Sequence, residues 1–135
     1  MTMIGLDTNV ICRYLLGDDP EQAKLAARII EGAIERKTHC FLSKIVLCEL
    51  VWVLESCTSM TRSEIATHMD RILHADHLLV EDRQAVRWSL SGYRRGKGDF
   101  ADYLIHRSNL AGGCSKTVTF DQDLRGTPGM EILGR

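Results

Sequence analysis

An α/β domain around a mostly parallel sheet is the fold class this sequence predicts, and three observations predict it. Short apolar runs of strand length alternate with longer stretches of helical period along the chain, the pattern that yields parallel strands joined by crossover helices. Two of the runs end on a carboxylate, MIGLD at Asp7 and TVTFD at Asp121. In parallel sheets, sites gather outside the carboxyl ends of the strands. The chain also has the size for a core: 135 residues, 44% of them hydrophobic, bury roughly two-thirds of the surface an unfolded chain exposes. No repeat, low-complexity tract or linker-like stretch divides it, so one domain over residues 1–135 is expected.

In chain order, MIGLD reads as a short buried strand and NVICRYLLGD as a helix stopped by Gly17. Asp19 then caps a helix whose first position is Pro20, the residue that loses nothing there for want of an amide hydrogen. HCFLS is a second strand, and Ser43 caps the helix KIVLCELVWVLES. Thr61 or Ser63 starts RSEIATHMDRILHA, and HLLVE is a third strand. RQAVRWSLSGYRR and GDFADYLIHRSNLAG are helices, SKTVTFD a strand, and GMEILG a closing edge strand.

A formal net charge of −1 excludes a general electrostatic pull on nucleic acid. Charge is nevertheless uneven. SGYRRGKGDF gathers Arg94, Arg95 and Lys97 just before Asp99, either as a solvated cationic loop or as a phosphate-attracting edge beside an acidic site. Cys12, Cys40, Cys48, Cys57 and Cys114 form an odd set with no C-x-x-C pair. They read as reduced core residues in a reducing compartment and give a zinc site little support. No apolar run approaches the ~20 residues of a membrane span, and no leader-like segment opens the chain. The expectation is a soluble, cytoplasmic protein without a membrane partner.

The chemistry lies in the carboxylates. KIVLCELVWVLES is apolar on every side, which predicts a buried helix with Glu49 in its middle. A buried carboxylate needs an arginine partner or a cation. Asp99 and Asp102, three apart, share a helix face, although first-turn acids also serve to offset the helix dipole. Asp121 and Asp123, in TFDQDL, have a turn-forming alternative. Each acid alone has an ordinary structural use. Together, brought to one sheet edge, they repel unless a cation neutralises them. All-oxygen ligands select Mg²⁺ or Mn²⁺ over zinc, and such a site suits phosphodiester hydrolysis.

These residues resemble the motifs of the PIN-domain family, and within it the VapC-type toxins of type II toxin–antitoxin pairs. GLDTNVICRYL is similar to the family's opening strand and turn, SKIVLCELVWVL to its second motif, GDFADYLIH to its third and TVTFDQDL to its fourth. The four occur in order over nearly the whole chain. The resemblance implies a three-layer fold, a mostly parallel central sheet flanked by helices. It also implies a Mg²⁺-dependent endoribonuclease, with Mn²⁺ as a substitute, that cuts structured RNA such as a tRNA or an rRNA loop by metal-activated water attack. Asp7, Glu49, Asp102 and Asp121 match the four acidic positions. Asp99 is an added metal contributor and Asp123 a second candidate in the fourth motif. Thr8, Asn9 and Thr119 match small polar supporting positions. Products would carry 5′-phosphate and 3′-hydroxyl ends, with no histidine needed, so His106 is at most a cleft-lining residue and otherwise packing. Arg94, Arg95 and Lys97 are the expected RNA contacts. The implied partners are the RNA, a second copy in a homodimer, and a small cognate antitoxin docking near Tyr14, Leu15 and Leu25.

Two other readings compete. A different Mg²⁺-dependent phosphoryl hydrolase is suggested by LDTNV, which is similar to a D-x-D phosphatase motif but carries Asn9 at its second acidic position. A PIN-like module that binds RNA or protein without cutting is the other; an intact set of acids argues against it.

Overall fold

The computed structural model describes residues 2–134. Five strands and six helices follow one another: β1 (Ile4–Gly5), α1 (Thr8–Leu16), α2 (Pro20–Glu35), β2 (Cys40–Leu42), α3 (Lys44–Cys57), α4 (Arg62–His74), β3 (Leu78–Val80), α5 (Arg83–Arg95), α6 (Phe100–Ala111), β4 (Thr117–Thr119) and β5 (Met130–Ile132), with a 3-10 turn at Gln122–Leu124. Every strand pairing is parallel, as the alternation of strand and helix requires. The fold is α/β and PIN-like.

Capping explains the helix starts. Asp19 accepts from the Gln22 amide at 3.1 Å ahead of Pro20, and Ser43 accepts from Val46 at 3.2 Å. Thr61, rather than Ser63, opens α4 through a reciprocal capping box with Glu64. Gly17 ends α1 at φ 62°, a left-handed turn that a side chain would strain.

Two expectations change. The strands divide into a three-stranded sheet, β1-β2-β3, and a two-stranded sheet, β4-β5. The hydrogen bonds of β1 run to β2, continued by the Leu6 amide on the Phe41 carbonyl at 3.0 Å. As an edge strand β1 is therefore not buried: Ile4 and Gly5 are exposed and only Leu6 reaches the core. Likewise α3 is covered on one side only. Val46, Leu47, Leu50, Val51 and Leu54 are buried, whereas Ile45, Glu49 and Trp52 lie exposed along the opposite stripe.

The core joins these helices to α4, α5 and α6, with Tyr93 and Phe100 meeting edge-on at its centre. Cys12 and Cys40 belong to it, Cys48 is half-buried, and Cys57 and Cys114 are exposed, so the core reading of the cysteines holds for only part of the set; all five are free thiols. Among the described residues, no helix is long and apolar enough to cross a membrane.

Candidate functional site

Asp7 follows β1 and is the N-cap of α1, where its backbone carbonyl accepts from the Val10 amide at 3.1 Å. Its side chain makes no capping bond and is exposed. The next residue, Thr8, is buried and donates its hydroxyl to Glu49 Oε1 at 2.7 Å. That bond ties the start of α1 to the exposed stripe of α3. Glu49 is thus neither buried nor paired with an arginine. Asn9 is exposed and turns toward a groove between α1 and α2.

The third and fourth motifs supply the other half. Asp99 is the N-cap of α6, yet its side chain does not cap. One oxygen, Oδ2, accepts from the indole of Trp52 at 2.8 Å; the other, Oδ1, is buried without a hydrogen-bond partner. An unpartnered buried carboxylate oxygen is costly. One turn on, Asp102 is half-buried. Burial pushes its carboxyl up, a backbone hydrogen bond from Asp99 pulls it partly back, and the charges of Asp99 and Asp121 push it up again. Asp121 is held through its own amide, which donates to Thr119 Oγ1 at 3.1 Å. Its carboxylate accepts from the Asp123 amide at 2.9 Å.

Cys48 connects the halves. Its thiol is pushed up to about 11 by burial first, then by the charges of Asp99 and Glu49. The structure therefore brings Glu49, Asp99, Asp102 and Asp121 within electrostatic reach of one another or of a shared neighbour. Asp7 and Thr8 stand where α1 meets Glu49. The acids do not close into a shell: among the described residues, no three Asp, Glu, His or Cys side chains are grouped to hold an ion. Nor does any cation neutralise them. The ion pairs among the described residues are Arg13–Asp18, Lys44–Asp82, His74–Asp70 and Lys116–Glu131, none of which involves a candidate acid.

Asp123 is exposed and lines a separate cleft together with Arg95 and Lys97; Arg94 is exposed outside that lining. His106 is a packing residue: it is buried, with Nδ1 2.6 Å from Thr117 Oγ1 and Nε2 3.1 Å from the Pro128 carbonyl. Since a carbonyl only accepts, Nε2 carries the proton and Nδ1 receives one from the threonine. Two contributors escaped the sequence reading. Trp52 looked like one more apolar residue of α3, and Arg125, just beyond TFDQDL, also lines the cleft.

Parallel strands that deliver carboxylates to one unneutralised edge define an α/β domain with a hydrolase-type acidic site. The chain belongs to the PIN domain family, whose model matches residues 4–129. PIN domains are generally metal-dependent nucleases and typically use divalent metals. No curated protein matches the chain.

Proposed function

We propose that this PIN domain is a Mg²⁺-dependent endoribonuclease and the toxin of a toxin–antitoxin pair. The observation that carries the reading is the acidic edge itself. Its carboxylates are fixed by neutral donors, Thr8 on Glu49, Trp52 on Asp99 and backbone amides on Asp102 and Asp121, and by no cation. Such an arrangement keeps full negative charge while restricting side-chain motion. The donor set is all carboxylate, which suits a hard divalent cation, and the buried, partnerless Asp99 Oδ1 fits a ligand awaiting a positive partner.

In this reading Asp7, Glu49, Asp102 and Asp121 hold Mg²⁺ or Mn²⁺, and Asp99 assists. The cation lowers the pKa of water and stabilises charge developing on the phosphoryl oxygens. Thr8 keeps Glu49 aimed inward from α3. Trp52 stops Asp99 from swinging back to cap α6, and Thr119 fixes the backbone that carries Asp121. Arg95 and Lys97 draw the phosphate backbone toward an edge that would otherwise repel it. Unstacked loop nucleotides suit such a site better than a duplex.

The toxin part of the reading is supported by surfaces. A groove between α1 and α2 is lined by Val10, Leu25, Ala26 and Ile29, with Leu25 and Ile29 exposed. An antitoxin segment would lie there, reaching Asn9 and the start of α1. Tyr14 and Leu15 pack toward the core instead. A second exposed apolar patch, Ile45 and Ile105 beside Cys48, suits a homodimer.

The open spacing of the acids favours one rival, an RNA-binding module that does not cut. Purified wild type and Asp7→Asn, checked by thermal melts, should be incubated with total cellular RNA in Mg²⁺, Mn²⁺ or EDTA, and the new 5′-phosphate ends sequenced. Discrete cuts lost in the variant and in EDTA are expected. Intact RNA with every folded, antitoxin-free sample would select the binding module, and hydrolysis of p-nitrophenyl phosphate alone a phosphatase.

A further inference from the structure

Between the last turn of α5 and the loop after β4 lies a cleft of about 740 Å³, within the size range of pockets that enclose small organic ligands, roughly 300–1,000 Å³. We infer that this cleft is a nucleotide pocket, taking one base and its phosphate from single-stranded RNA beside the cut bond. The inference rests on the nuclease reading only for the position of that nucleotide, not for its chemistry.

Three cations, Arg95, Lys97 and Arg125, face the cleft against the single carboxylate of Asp123. None of the three takes part in an ion pair among the described residues. Arg125 is engaged by the neutral side chain of Gln122, which leaves its charge free for an anion. The half-buried ring of Trp88 forms an aromatic wall. Gln122 and Thr127 add polar groups able to meet a base edge. A bare phosphate has no use for the indole, and an acidic peptide none for a flat aromatic beside amide and hydroxyl groups. A nucleotide uses all of them.

The floor is rigid. Gly96 runs so close over Tyr103 that a Cβ there would lie 2.1 Å from the phenol oxygen. That oxygen accepts from the Gly98 amide at 3.1 Å, and Arg62 donates to the carbonyls of Tyr93 and Gly98 at 2.8 and 2.7 Å. A preformed wall reduces the ordering cost of binding. The cleft also adjoins the acids directly. Gln122 and Asp123 line it, and the Asp123 amide is bonded to the Asp121 carboxylate. A strand anchored in the cleft continues toward Asp121.

The test is binding of a fluorescein-labelled, 2′-O-methylated single-stranded octanucleotide in EDTA, where no cutting occurs, followed by anisotropy across a salt series. The full chain is compared with Arg95→Ala/Arg125→Ala, with Lys97→Glu as a second variant, and with Arg28→Ala/Arg71→Ala as a control on α2 and α4. The Arg95/Arg125 variant should weaken binding tenfold or more. It should also flatten the log K against log salt slope by about 1.4, about 0.7 for each lost phosphate contact, and the control should stay within twofold. In a Trp52→Phe background, the octanucleotide should quench Trp88 fluorescence. Equal affinity and slope in both cleft variants, no binding by wild type, or equal competition by an octaglutamate peptide each overturns the pocket. Cutting is scored separately in Mg²⁺: cleft-dependent binding without cutting supports the pocket and removes the nuclease reading.

Discussion

The acidic edge and the cationic cleft adjoin at Asp121–Asp123, yet they handle charge in opposite ways. At the edge, carboxylates are fixed by neutral donors: a threonine hydroxyl, an indole and backbone amides. At the cleft, three cations stand over a floor that is itself fixed, Tyr103 beneath Gly96 and Gly98. Neither region cancels its charge internally. The net charge of −1 is therefore a sum over two uncompensated regions, and it is their separation that lets one chain attract a polyanion and also hold a cation.

The largest expected effect breaks the acidic edge. Asp7→Asn and Asp102→Asn should each lower the turnover of RNA by about a hundredfold or more, the equivalent of roughly 2.7 kcal/mol of barrier. Affinity for the octanucleotide in EDTA should stay the same or improve, because removing a negative charge beside an RNA site removes repulsion. Parallel loss of affinity and turnover would mean that the two regions do not divide the work.

The next effect tests the neutral donors. Trp52→Phe keeps the aromatic volume on the exposed stripe of α3 but removes the donor to Asp99 Oδ2. Affinity for Mn²⁺, followed by isothermal calorimetry, should fall about 10- to 100-fold, as for other residues that orient a ligand. Unchanged Mn²⁺ affinity would leave Asp99 outside the ligand set. Gly96→Ala acts on the other region. Its Cβ would strike Tyr103, and overpacking of this kind costs about 1–3 kcal/mol. The melting temperature should drop by several degrees, with RNA affinity falling as the floor shifts and Mn²⁺ affinity unchanged.

How much of this was legible in the sequence follows from the range of the forces involved. Helix starts at Pro20, Lys44 and Arg62 were readable because their caps act over three residues. So was the placement of Asp7 and Asp121 after strands, which follows from apolar runs alone. The exposed side of α3 was not: Ile45 and Trp52 are as apolar as the buried Leu47 and Val51, so periodicity gives no signal for which face is covered. The Trp52–Asp99 bond spans 47 residues and depends on where α3 meets the start of α6. Arg125 joins Arg95 and Lys97 only once the loop after β4 folds back against α5. The division into two sheets was equally hidden, since strands of two or three residues carry no mark of which neighbour they will choose.

The smallest effect concerns pH, and it separates a functional acid from a structural one. The Asp102 carboxyl is raised above its ordinary value of 3.8 by burial and by Asp99 and Asp121. In the window between the unfolded and folded values the native state binds more protons than the unfolded chain. The contribution of Asp102 to stability is therefore fully present below the unfolded value and is lost as pH rises through the folded one. Asparagine carries no such loss and keeps an acceptor for the Asp99 amide. In EDTA, Asp102→Asn should melt above wild type at pH 7, and the gap should narrow as pH is lowered toward 4. Adding Mn²⁺ at pH 7 should narrow it as well, by stabilising wild type more than the variant, since a ligand favours the state that binds it. A variant that melts below wild type at pH 7 in EDTA would make Asp102 a structural partner of the α6 start. The contrast between an edge strained by its own charge and a cleft resting on a rigid floor would then fail at its centre.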